Sequence, residues 1–119
     1  MQDYRTLKVW QAAHQLAIDL YGAADGFASS ERFGLAAHIK KTAGSISFNI
    51  AEGFGRDSHA DLARFLRYAK GSANELEAQL LLARDTGAIG AEVGRLLERV
   101  SEIRRMLVGL IKEVRRQAV

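Results

Sequence analysis

The chain has 119 residues, 48% of them apolar and 26% charged, with no Cys, no Pro and a formal charge of +3. One domain is the expectation at this length, and folding can bury roughly 65% of the unfolded chain's surface. Without cysteine there is no disulfide, thiolate zinc site, iron–sulfur cluster or thiol nucleophile, so a reducing compartment is expected, with the cytoplasm as the default location.

Met1-Gln2-Asp3-Tyr4-Arg5 carries an acid and no apolar run behind it, unlike a secretory signal. With no proline to stop helices, boundaries fall to glycine and small polar caps. The first predicted helix runs over 7–25, with Val9, Ala13, Leu16 and Leu20 on one side and Trp10, Ala17 and Tyr21 widening that face. It ends at Asp25-Gly26, where glycine can turn left-handed, and Ser29-Ser30 offers hydroxyls to cap the next helix.

The second helix, over 30–53, aligns Leu35, Ile39, Ala43, Ile46 and Ile50. Its charge-free stretch, Thr42 to Ala51, falls far short of the roughly 20 apolar residues that cross a bilayer, so no membrane contact is expected. Gly53-Phe54-Gly55 reads as a stop and Ser58-His59-Ala60-Asp61 as a start, with Ser58 bonding the Asp61 N–H. The third helix, 58–86, repeats Leu62, Leu66, Ala69, Ala73, Leu76, Leu80 and Ala83. After Gly87-Ala88-Ile89-Gly90 the fourth, 91–117, repeats Val93, Leu96, Val100, Ile103, Leu107, Leu110 and Val114.

Seven-residue repeats keep one stripe against a partner at a shallow crossing, and three short connections force neighbours antiparallel. The expected fold is all-α, an up-down-up-down four-helix bundle filling 1–119. Gly44 and Gly71, inside helices, read either as close helix–helix approach or as tolerated surface glycines.

Candidate chemistry is sparse. His14, His38 and His59 come from three helices and no Glu-x-x-His pair occurs, so no metal is expected. Ser58, His59 and Asp61 have the composition of a hydrolytic triad but are neighbours on one helix start, where capping accounts for them. No phosphate loop or dinucleotide fingerprint follows a strand, and neither a cofactor nor a small-molecule substrate is expected. Arg32 and His38, separated by five residues, resemble the Arg-x(4–6)-His pair of the HEPN ribonucleases.

The excess charge lies in 91–119, with seven bases against four acids. At about 100° per residue Arg104, Arg105, Lys112, Arg115 and Arg116 share an arc of about 120°. A solvated helix end favoured by the macrodipole is one reading. The other is a phosphate-binding surface extended by Lys40, Lys41, Arg56, Arg64, Arg67 and Lys70. No aromatic residues clearly interleave with these bases, so backbone rather than sequence readout is expected.

Leu7-Lys8-Val9-Trp10-Gln11-x-Ala13-His14, Glu31-Arg32-Phe33-Gly34-Leu35, Asn49-Ile50-Ala51-Glu52-Gly53-Phe54-Gly55-Arg56, Arg64-Phe65-Leu66 and Gly71-Ser72-x-Asn74-Glu75-Leu76-Glu77-x-Gln79-Leu80 resemble the proteins encoded in 23S ribosomal RNA intervening sequences. The resemblance spans nearly the whole chain. It implies a four-helix bundle assembled into a homopentamer, with no enzymatic activity. More distantly the chain is similar to accessory proteins of diversity-generating retroelements, which engage nucleic acid and reverse transcriptase through a basic pentamer surface.

The chain departs from that pattern. The family usually has proline where Ala28 and Ser47 stand, and commonly Gln at His38, which weakens the ribonuclease reading. Phe48 replaces a small polar residue and is a candidate for an intersubunit contact. Among matching polar residues, Glu52 has the spacing to pair with Arg56, and Asn49 the position to bond backbone near Gly53 and Gly55. Asn74, Glu75 and Glu77 divide between a solvated role and a subunit or ligand contact. The expected function is a non-enzymatic, homo-oligomeric scaffold binding RNA or DNA through its basic surface. The alternatives are a protein-interaction module without nucleic acid and, third, a HEPN-like ribonuclease.

Overall fold

The computed structural model describes residues 2–31 and 34–118. Four helices follow in order: α1 (Lys8–Ala24), α2 (Leu35–Phe54), α3 (His59–Asp85) and α4 (Val93–Gln117). Short 3-10 turns at Tyr4–Thr6 and Ser29–Glu31 precede α1 and α2, and the described residues contain no strand. Each helix packs on its chain neighbours and α4 closes on α1, giving an antiparallel bundle with extents of 49 × 20 × 20 Å. Among the described residues no helix is long and apolar enough to cross a membrane.

One core runs through all four helices. Every apolar residue expected on the inner face of α3 is buried, from Leu62 to Ala83. On α4 the seven-residue repeat holds from Val93 to Leu107, after which Ile111 is buried and Leu110 only half-buried. A strict heptad drifts about 20° per repeat against a 3.6-residue helix, so a step of four restores the seam. Tyr21 stands 51% exposed, outside the face it was expected to widen. Trp10 is half-buried, stacked on His14 at 4.6 Å with the Tyr4 ring edge-on at 5.2 Å.

The boundaries correct the sequence reading in two places. α2 begins at Leu35, not near residue 30, and its cap is Gly34 without a side-chain hydrogen bond. Ser29 and Ser30 belong to the preceding 3-10 turn instead. Gly26 does not turn left-handed: the N–H groups of Gly26 and Phe27 donate to Ala23 and Ala24 oxygens at 3.1 Å, so 3-10 bonds satisfy the end of α1. At the other two junctions the signals hold. Ser58 Oγ accepts from the Asp61 N–H at 3.1 Å, capping α3. Gly87 has φ of +75°, and Ala88 N–H donates to Ala83 O while Gly87 N–H donates to Arg84 O, the paired bonds of a Schellman stop.

Glycine placement differs as well. A Cβ on Gly71 would meet nothing within 4 Å, and the nearest atoms to one on Gly44 would be those of the Phe48 ring on its own helix, at 3.2 Å. The close helix–helix approach falls at Gly53, where a Cβ would lie 3.0 Å from both Leu62 Cδ1 and Phe65 Cβ. Gly53 is a helical residue that lets α2 and α3 converge before their turn.

Candidate nucleic-acid interface

The antiparallel α3–α4 hairpin forms the wall on which most of the candidate bases lie. Near its open end His59, Ala60, Ala63 and Arg67 of α3 face Arg115 and Ala118 across a groove of about 490 Å³. Among the described residues no carboxylate side chain lines it. Lys70 follows Arg67 by three residues and Lys112 precedes Arg115 by three. Because the helices run in opposite directions, both lysines extend the basic rows the same way along the groove.

Nearby acids are engaged by other bases. Glu113 accepts from Arg116 at 2.7 Å and from Gln117 at 3.1 Å. The Arg116 hydrogen bond holds the Glu113 carboxyl below its usual range. Asp61 pairs with Arg64 at 3.2 Å and Arg56 at 3.7 Å. Arg67, Lys70, Lys112 and Arg115 have no ion-pair partner among the described residues, and neither does Lys41 on α2. Their charge is therefore available to an external anion.

Other members of the basic set are tied down. Arg104 pairs with Glu77 at 2.9 Å and donates to Asn74 Oδ1 at 3.1 Å, linking α4 to α3. Arg105 donates to Ser101 Oγ at 3.0 Å. Lys40 reaches Asp25 at 3.4 Å and lies 5.3 Å from the centre of the Tyr21 ring. The wheel arc of α4 thus divides into an inner part that joins helices and an outer part that faces solvent.

Aromatic rings do interleave with these bases, against the sequence expectation. The guanidinium groups of Arg56 and Arg64 each sit 4.9 Å from the Phe65 ring centre. Arg64 also lies 5.7 Å from the Tyr68 ring and donates to its hydroxyl at 3.2 Å. That bond, ahead of the one to Asp61, raises the Arg64 pKa. Phe65 meets Tyr68 edge-to-face at 5.4 Å and 84°. The signal was present in Arg64-Phe65-x-Arg67-Tyr68, where basic and aromatic residues alternate within one and a half turns.

The polar motif residues mostly knit the bundle. Asn49 Nδ2 donates to Ser45 O at 2.8 Å within α2, not to the backbone at Gly53 or Gly55. Glu52 is exposed, and Arg56 turns to Asp61 instead of to it. Between α2 and α3, Ser45 and Ser72 hydroxyls bond at 2.7 Å, Thr42 donates to Glu75 at 3.3 Å, and Gln79 Nε2 donates to Thr42 at 2.9 Å. Among the described residues no group of three or more His, Asp or Glu gathers to hold a metal ion. Arg32 lies outside the described residues, and His38 is exposed beside Lys41 and Glu75.

On the opposite side of the bundle, α1 and α2 form a second groove of about 380 Å³, lined by His14, Ala17, Ile18, Tyr21, Gly44, Ser47 and Phe48. Phe48 is 72% exposed and Ile18 51%. Sequence reading singled out Phe48 alone; Ile18 and Tyr21 join it because they lie on the neighbouring antiparallel helix.

This bundle, with its helix order and motif positions, matches the 23S rRNA-intervening sequence proteins over residues 5–109. The chain belongs to that family. Its fold is similar to a crystal structure of a protein of unknown function from the S23 ribosomal protein family of Bacteroides thetaiotaomicron, with a TM-score of 0.81 and 26% identity. That likeness covers 87% of this chain and 95% of the other. Among curated proteins none matches. In this intervening-sequence protein, then, Asn74, Glu75 and Glu77 hold helices together, while Arg67 and Arg115 are left facing solvent.

Proposed function

We propose that this intervening-sequence protein is a non-enzymatic, self-associating scaffold that binds nucleic acid, RNA first, through phosphate contacts in the α3–α4 groove. One observation carries the reading: Arg67 and Arg115 line a common groove with no carboxylate side chain among its described lining residues, while the neighbouring Asp61 and Glu113 are held by other arginines. The family's name, which ties it to ribosomal RNA intervening sequences, directs the choice toward RNA. Of the triad-like run at the start of α3, the Ser58 hydroxyl serves as the helix cap, accepting from the Asp61 N–H, which supports the non-enzymatic reading.

Self-association supports binding physically. A single chain carries +3, a weak field, whereas five copies, the number the family resemblance implies, carry about +15 and present repeated grooves to one polymer. The apolar α1–α2 groove is the proposed contact between copies, because association there removes Phe48, Ile18 and Tyr21 from water and leaves the α3–α4 groove free. Location in the cytoplasm belongs to the same proposal.

The test is an RNA titration at rising salt. Affinity is expected to fall log-linearly with salt, and the double variant Arg67→Glu/Arg115→Glu is expected to lose binding while its helical circular dichroism stays intact. A salt-independent signal, or a double variant that binds like the parent, overturns the reading.

A further inference from the structure

The outer face of α3 joins the phosphate-binding groove to an exposed aromatic ring. Arg67 lies on the flank toward α4, and Tyr68, the next residue, lies about 100° round the helix on the flank toward α2. Gly71 sits between them one turn further on, and a Cβ there would touch nothing. The helix therefore presents bare backbone between a cation and a ring, across roughly the 10 Å width of one helix.

Tyr68 is held as a platform. Its hydroxyl is fixed by Arg64, Phe65 presses edge-to-face against it, and the ring still stands 48% exposed. A core role is absent at that exposure. A freely rotating ring would not present a fixed face, whereas this one is held at its hydroxyl and by Phe65, with the Arg64 guanidinium 5.7 Å from the ring centre.

We propose that the α3 face selects single-stranded over duplex nucleic acid, with a backbone phosphate in the Arg67–Arg115 groove and a neighbouring base stacked on Tyr68. This rests on the nucleic-acid reading above. The physical reason for the selection is that base faces are free to stack on a protein ring only in an unpaired strand, whereas a duplex keeps its faces inside and offers phosphates alone. Stacking tolerates any base because every base has a π face, so the surface discriminates strandedness without reading sequence.

The test uses a single-stranded RNA of about 12 nucleotides, within the site sizes typical of such grooves, and the same RNA annealed to its complement. The single strand is expected to bind more tightly. Tyr68→Ala is expected to weaken it about tenfold or more while leaving the salt slope unchanged, and Tyr68→Phe, which keeps the stacking face but loses the Arg64 bond, to weaken it less than Tyr68→Ala does. Arg67→Ala is expected to reduce the slope and to weaken both RNAs. Equal binding of duplex and single strand, or a Tyr68→Ala variant indistinguishable from the parent, overturns the selection, even where Arg67→Glu/Arg115→Glu still abolishes binding. If neither RNA binds the parent protein, the nucleic-acid reading falls together with it.

Discussion

At Gly53 the absent side chain is what allows α2 and α3 to meet, since a methyl group would be forced to 3.0 Å from Leu62 and Phe65. Gly53→Ala is expected to destabilise the fold by about 1–3 kcal/mol through overpacking. Gly71→Ala, by contrast, enters open space within a helix and is expected to stabilise by about 0.5–1 kcal/mol, the helix-propensity difference. Urea midpoints of the two variants moving in opposite directions check both; equal shifts contradict the packing argument. In the sequence Gly53 reads as part of a helix stop and Gly71 as a helix-interior glycine with close approach as one reading, so the close approach was sought at the wrong glycine. What separates them is the helix that passes beside each, and this depends on crossing geometry that no local pattern carries. Ser58 was legible for the converse reason, because its partner is three residues away on its own helix.

Among the elements, α1 and α4 share the sparsest contact of any neighbouring helices, and an Arg99–Asp19 pair at 2.8 Å ties them. Hydrogen bonds from Arg99 first and Gln15 second hold the Asp19 carboxyl below its usual range. A depressed carboxylate contributes its stability above the unfolded value, about pH 4, and loses it as pH falls through the lower folded value. Unfolding at pH 3 and pH 7 should therefore differ more for the parent than for Asp19→Asn. Since Asp19 is 41% exposed, the neutral-pH loss in that variant should stay within about 1 kcal/mol. An unchanged pH difference would show that the pair is not what fastens the seam. Helices themselves were readable from period: the α3 stripe from Leu62 to Ala83 is wholly buried. The start of α2 was not, because Ser29-Ser30 suits a helix cap and a short 3-10 turn equally, and the structure puts these serines in the turn at Ser29–Glu31. The bases of the candidate interface were likewise named from charge. Which of them are neutralised depends on cross-helix partners such as Glu77 for Arg104, and these emerge only when helices are placed side by side.

In the whole molecule the helix order puts the apolar α1–α2 groove and the basic α3–α4 groove on opposite sides of the bundle, so the two surfaces can be occupied at once. Phe48→Glu places a charge where the parent exposes an aromatic ring over 72% of its surface. The variant is expected to keep its helical content, since Phe48 is outside the core, and to sediment at the mass of one chain, 13.1 kDa. Its affinity for a long RNA should fall about a hundredfold or more as multivalent attachment is lost, while affinity for a short oligomer that fits one groove should change little. Phe48→Leu, which keeps the apolar contact, should behave like the parent. A parent protein that sediments as a single chain would remove the association, and a Phe48→Glu variant that loses short-oligomer binding as strongly as long would show that the two faces are not independent.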